Sequence, residues 1–250
     1  MTRVPLWVEM SGRRVLVVGG GRVGARRALF FRSAGALVRV ASLEFVEELL
    51  EASKRDPGVE LVRLDASRLE QLRPLVEWSD LVVIATSDPR VNEMVWRLAR
   101  ELRRWVNDAT DASRTEIVVP YRASLLGGGV EVAVTSEGRS GVAARHVLER
   151  IKECVDGDEK LRVLYEVMWR VKPVLKALVE DGRRRFPVYF RVEEAVLPHA
   201  ERGDLDAALE AAARVIAAET GRSPGEVAEM LRSVREPVKP LTGGAGAGER

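Results

Sequence analysis

Arg14 to Val18 reads RVLVV, an unbroken apolar run rich in β-branched residues, and it runs directly into Gly19-Gly20-Gly21-Arg22-Val23-Gly24. A buried parallel strand that enters a glycine turn and leaves it as a helix commits the chain to a doubly wound α/β sheet. Within this G-x-G-x-x-G pattern Gly19 permits the tight turn and Gly21 lets a pyrophosphate approach the backbone. Gly24 lets the helix lie close on the strand, and the helix start at Arg22 and Val23 supplies amide donors. The strand before and the helix after are what make the pattern a dinucleotide-binding signal.

The chain up to Asn107 keeps the same alternation. Val23, Ala25, Ala28, Leu29 and Phe31 fit a helix over 22–33 that Gly35 stops. Further strands are expected at 37–41, 59–63, 81–85 and around Trp105-Val106, with helices at 45–54, 69–77 and 91–102. This order implies a parallel sheet with helices on both faces. Beyond Asn107 the spacing predicts extended segments at 116–119 and 130–135, a flexible connection at 125–129 and a helix at 141–154. Only helix signals follow, at 161–178, 188–198, 205–219 and 224–233, the last entered through Ser223 as N-cap. The fold class is therefore α/β: an N-terminal Rossmann parallel sheet (1–112), a small α+β segment (113–155) and an all-helical C-terminal domain (156–236). A Gly/Ala-rich tail (237–250) is expected to be disordered.

Composition narrows the partners. Forty basic against 38 acidic residues leave a formal charge of +2, which gives no reason to expect nucleic acid. No apolar run approaches the roughly 18 residues a membrane span needs, and Met1 to Glu9 lack a cleavable-signal pattern, so a cytoplasmic protein with no membrane partner is expected. With Cys154 as the one cysteine and His146 and His199 as the only histidines, an intrachain disulfide or a Cys/His zinc cage cannot be assembled, and no metal ligands are assigned.

Strand ends supply the candidate ligand contacts, because in open α/β sheets the crevice lies outside the carboxyl ends of the strands. Ser42, Leu43 and Glu44 follow the second strand. Glu44, about 20 residues past the glycines, is the available partner for a ribose hydroxyl and favours NAD over NADP, although it reads equally well as a first-turn helix carboxylate. Thr86, with Ser87 and Asp88, ends the fourth strand, and Asn107 ends the fifth. Asp108 and Asp111 are the candidate acid/base groups, with turn or cap roles as the competing reading.

These residues together resemble the precorrin-2 dehydrogenase family, the NAD-dependent part of siroheme synthesis, some of whose members also act as sirohydrochlorin ferrochelatases. The resemblance rests on Pro5-Leu6-Trp7, Val17 to Gly24 with Arg26-Arg27, Ala85 to Asp88 with Asn92, Val106-Asn107, Pro120, and Thr135-Ser136-Glu137-Gly138-Arg139-Ser140 leading into Ala144-Arg145. It implies oxidation of precorrin-2, a carboxylate-rich tetrapyrrole, to sirohydrochlorin with reduction of NAD. Arg122, Ser140 and Arg145 would face the substrate, with Arg183-Arg184-Arg185 as a further basic cluster that reads equally well as a solvated face. It also implies a homodimer joined through the small α+β segment, and Fe²⁺ as a chelation substrate in which Asp111 or His146 would take part.

Three departures stand out. The family carries Ala where Gly24 stands, a harmless exchange on this reading, and Pro where Gly141 stands. Counted without gaps from Asn107, the family's catalytic aspartate falls on Thr110, with Asp111 one place later and Asp108 two places earlier. Asp111 is the preferred base. The competing classes are an NAD(H)-sensing regulatory module without catalysis and a dehydrogenase for a smaller substrate.

Overall fold

The computed structural model describes residues 3–235. Its contacts gather into two units that divide between Val119 and Pro120.

The first unit alternates β1 (Arg14–Val18), α1 (Arg22–Ser33), β2 (Leu37–Ser42), α2 (Glu47–Arg55), β3 (Val59–Arg63), α3 (Leu69–Trp78), β4 (Leu81–Ile84), α4 (Pro89–Glu101) and β5 (Trp105–Asp108). The strands form one parallel sheet in the order β3-β2-β1-β4-β5, so the order reverses between β1 and β4, which pair through Val15↔Leu81 to Val18↔Ile84. Alternation divides β1 between two cores. Val15 and Val17 pack with Ala25, Ala28 and Phe31 of α1, whereas Leu16 and Val18 pack with Leu72 and Val76 of α3 and Val95 and Leu98 of α4. β1 and β4 are buried on both faces, as the apolar runs require. The helix over 22–33 falls where the sequence predicts it, and Gly35, at φ +86, reverses the chain after it.

The segment expected to be extended at 116–119 is not a strand. The amides of Glu116 and Ile117 both donate to the Val106 carbonyl, and Ile117 and Val119 tuck against the α1-side core. Its apolar run thus serves as core cover rather than as part of a ladder.

The second unit opens with an antiparallel hairpin, β6 (Tyr121–Leu125) and β7 (Val130–Val134), joined by a short turn in which Leu126, Gly127 and Gly128 all take positive φ, within the connection expected at 125–129. Helices α5 (Gly141–Asp156), α6 (Glu159–Leu178), α7 (Gly182–Ala200), α8 (Leu205–Thr220) and α9 (Pro224–Ser233) follow. A single core unites α6 to α9 through Val163, Val167 and Val171, Val188, Val192 and Val196, Ile216 and Leu231, with the alanines of α8 permitting close approach. Pro187 makes α7 look shorter in sequence than it is. The helix begins at Gly182 under an Asp181 cap, and Pro187 forfeits one backbone bond within it. Residues 236–250, which include the whole of the expected tail at 237–250, lie outside the described residues.

Candidate active site

The glycine turn explains itself atom by atom. Gly19 sits at φ +121, and a Cβ there would stand 2.4 Å from the Ala85 carbonyl oxygen of the adjoining β4 exit. Its amide donates to the Ala41 carbonyl (2.9 Å), tying the turn to β2. A Cβ on Gly24 would lie 1.9 Å from the Gly19 carbonyl oxygen, so in this chain α1 rests on the turn with no room for a methyl group. This corrects the expectation that Ala at Gly24 is harmless. Gly20, which sequence reasoning passed over, is equally confined: its Cβ would meet the Glu44 carbonyl at 2.1 Å, and its own carbonyl accepts from the Val46 amide (3.0 Å). Gly21 alone faces open space, with nothing within 4 Å of an added Cβ, at the very start of α1 and flanked by exposed Arg22 and Val23. Three glycines are needed by the protein itself, and the fourth leaves a vacancy beside helix-opening amides, which is the cradle a pyrophosphate needs.

Ser42 closes β2 and accepts the Leu64 amide on its carbonyl, while Leu43 and Glu44 are exposed on the turn beyond. Glu44 precedes α2, whose first-turn acids are Glu47 and Glu48. The first-turn reading of Glu44 is thereby set aside.

Past β4 and β5 the polar residues form one network. Asn92, buried on α4, donates its amide to the Thr86 carbonyl (3.1 Å) and to Thr110 Oγ1 (3.2 Å), and its Oδ1 accepts from Thr86 Oγ1 (2.5 Å). The carbonyl partner fixes which end of this amide carries the hydrogens. Asp88 serves as the N-cap of α4, accepting from the Arg90 amide (2.8 Å) ahead of Pro89. Asn107 is also buried; its Nδ2 donates to the Ile117 carbonyl (2.8 Å), and its Oδ1 is enclosed without a hydrogen-bond donor. Such an orphaned acceptor is uncommon in a native interior.

The two candidate aspartates differ sharply. The Asp108 side chain has no exposed surface. Its Oδ1 accepts from the Thr110 amide (2.9 Å), from Thr110 Oγ1 (2.6 Å) and from the Asp111 amide (3.2 Å). Its Oδ2 lies 3.0 Å from Arg114 Nε, an ion pair whose N–H is not aligned as a hydrogen bond. Thr115 closes the loop, its hydroxyl donating to the Asp108 carbonyl (2.8 Å). Asp111 is 40% exposed and caps a 3₁₀ turn over Ala112–Arg114. The Ser113 hydroxyl and amide, at 2.6 and 2.8 Å, hold the Asp111 carboxyl below the ordinary carboxylate range. Thr110 is exposed and stands over Asp108. Both residues drew notice in the sequence, but their pairing did not, because a loop closed by Thr115 and Arg114 leaves no local pattern.

In the second unit Arg122 lies exposed on β6, and Arg145 on α5 sits 3.7 Å from Glu149. Ser140 caps α5, accepting from the Ala143 amide (3.2 Å). His146 is exposed beside Glu149 (3.1 Å). The basic cluster opening α7 is partly engaged: Arg184 pairs with Glu219 (3.1 Å), and Arg185 donates to the Val179 carbonyl (3.0 Å).

Residues 6–121 match a family described as "Putative NAD(P)-binding". The chain is 29% identical over 196 residues to the precorrin-2 dehydrogenase of Methanosarcina barkeri, an alignment covering 77% of this chain and 83% of that protein. It is 32% identical over 188 residues to the siroheme synthase of Neisseria meningitidis, covering 74% of this chain and 37% of that longer protein. The solved structure named "SirC, precorrin-2 dehydrogenase" shares the fold, with a TM-score of 0.63 over 85% of this chain and 98% of that one at 20% identity.

Proposed function

We propose that the chain is a member of the precorrin-2 dehydrogenase family, sharing 29% identity with the Methanosarcina barkeri protein over 83% of that protein's length, and that it oxidises precorrin-2 to sirohydrochlorin with NAD as hydride acceptor. The observation that carries this reading is the glycine turn at the reversal point of the sheet, where Gly21 alone is left open while Gly19, Gly20 and Gly24 are packed solid.

Gly19 to Gly24 would hold the pyrophosphate at the start of α1, Ser42, Leu43 and Glu44 the adenosine ribose, and Thr86 and Asn107 the nicotinamide end. When bound, the cofactor supplies the hydride acceptor. The protein's share is to exclude water, orient the ring carbon and take up one proton. Exposed Glu44 supports NAD over NADP, since a carboxylate there accepts from a ribose hydroxyl and repels a phosphate. Arg122 and Arg145, from elements that pack on each other, are the proposed partners of substrate carboxylates, with Ser140 holding the start of α5 between them in sequence.

The reading extends to assembly. An isolated two-stranded hairpin is marginal on its own, and here it carries exposed Tyr121 and Val130 next to α5 with exposed Val142 and Val147. A second copy that covers these groups makes the protein a homodimer, and light scattering that finds a monomer at micromolar concentration would refute that. A cytoplasmic location is part of the same proposal, since that is where a soluble NAD pool is available; among the described residues no helix is long and apolar enough to cross a membrane.

The deciding assay generates precorrin-2 anaerobically, adds protein and NAD or NADP, and follows NADH absorbance together with the tetrapyrrole spectrum. Protein- and NAD-dependent growth of both signals is expected. Adding Fe²⁺ afterwards tests chelation, read as a further protein-dependent spectral change. Cofactor binding by folded protein without turnover would replace this reading with an NAD(H)-sensing module.

A further inference from the structure

We propose that the proton released during this oxidation leaves through Thr110, whose hydroxyl passes it inward to the buried carboxylate of Asp108. The inference rests on the dehydrogenase reading above and names the group that completes it.

Hydrogen-bond directions at Thr110 leave little freedom. Asn92 Nδ2 donates to Thr110 Oγ1 (3.2 Å), so one lone pair of the hydroxyl is occupied. The hydroxyl hydrogen points at Asp108 Oδ1 (2.6 Å), which also takes the Thr110 and Asp111 amides and has no hydrogen to return when ionised. No other hydrogen bond is made by Thr110 Oγ1, so a second lone pair stays available on a residue that is exposed. Thr110 lies just beyond β5, and Asn92 joins it to Thr86 just beyond β4. These two strand ends flank the half of the crevice in which a nicotinamide and its reaction partner meet. Asp108 cannot reach a substrate itself, because its side chain has no exposed surface. Asp111 is reachable, but its Oδ1 is already taken by the Ser113 amide and hydroxyl in the cap of the 3₁₀ turn, and no hydrogen bond joins its side chain to Thr110 or Asn92.

The step balances. The substrate gives one hydride to the cofactor and one proton to Thr110 Oγ1, while the hydroxyl's own proton moves to Asp108 Oδ1. The resulting carboxylic acid returns its proton through Thr110 to water after product leaves. Arg114, 3.0 Å from Oδ2, balances the carboxylate charge in the resting state. Thr110 is thus the catalytic residue, with Asp108 the proton store and Asn92 a positioning residue.

The test compares the full-length protein with Thr110→Val, Thr110→Ser, Asp108→Asn and Asp111→Asn, measuring NAD affinity, kcat across pH and the solvent deuterium isotope effect. Thr110→Val is expected to lower kcat about 100-fold or more, in line with loss of a positioned acid/base group, with NAD affinity unchanged. Thr110→Ser should restore most of the rate and the isotope effect. Asp111→Asn should stay within a few-fold of the parent. Asp108→Asn should resemble Thr110→Val if it folds; should it fail to fold, the Val and Ser pair alone decides. A Thr110→Val protein with near-parental kcat, or loss of turnover in Asp111→Asn with Thr110→Val intact, overturns the relay and leaves the dehydrogenase reading standing. A parent protein that forms no NADH from precorrin-2 overturns both.

Discussion

Gly21 and Gly24 share a motif but answer to different demands, and substitution should separate them. At Gly21 the backbone is extended (φ −79) and a Cβ meets nothing, so Gly21→Ala should fold with parental stability while losing NAD affinity, because the methyl group occupies the pyrophosphate's approach. At Gly24 the Cβ would press on the Gly19 carbonyl at 1.9 Å, so Gly24→Ala should cost roughly 1–3 kcal/mol of stability as α1 is pushed off β1. Thermal unfolding and NAD titration of the two variants check this together. Equal loss of stability in both would show that Gly21 is not the open member of the turn. The motif was legible in the sequence, but this division of labour was not, since it depends on Ala85, Ser42 and Glu44 brought in from other strand ends. Asp108 shows the same limit. Its residue type suggested a base, whereas its burial and its pairing with Arg114 follow from how 108–115 closes on itself.

Elements were easiest to read where periodicity and punctuation agreed. The strand over 59–63 and the helix over 22–33 fall where they are expected, because Gly-rich or polar turns bound apolar runs of the right period. They were hardest to read where one residue type carries two meanings. Pro187, just ahead of the helix expected over 188–198, lies inside α7, and the segment expected to be extended at 116–119 covers a core through Ile117 and Val119. Asp88 is a third case, a polar strand-end residue whose carboxylate caps α4. That cap matters beyond its own helix, because α4 carries Asn92, the residue that holds Thr86 and Thr110 together. Asp88→Ala should therefore lower stability by about 1 kcal/mol, the usual loss for an N-cap. It should also loosen the Thr110 contact, seen as faster exchange of amides in 108–111. Unchanged denaturant midpoint and exchange would show that Pro89 alone sets the start of α4.

The sheet of the first unit has two unlike ends: the candidate site residues lie where the strands end, and two ion pairs with no part in that site lie where strands begin. Arg14, at the start of β1, donates its backbone amide and its guanidinium to Asp80 just before β4 (2.9 Å each), and Arg32 holds Asp56 ahead of β3 (2.6 Å). Bonding to Arg14 and to Arg32 keeps the Asp80 and Asp56 carboxyls below their ordinary range. The arginines do not titrate in the accessible range, so the carboxylates set the pH dependence. A carboxylate whose pKa is lower folded than unfolded stabilises the fold at pH values above its unfolded pKa of about 4, and that contribution disappears as pH falls through the folded value. The urea midpoint should accordingly be flat from neutrality to about pH 5 and decline below about pH 4. Asp80→Asn should lower the midpoint at neutral pH, where it removes a charged partner of Arg14, and converge on the parent at the acid end, where Asp80 is itself protonated. That convergence distinguishes linkage from a packing defect, which would separate the two proteins by the same amount at every pH. Parallel curves would show that the Arg14–Asp80 pair does not contribute to the acid sensitivity of the molecule.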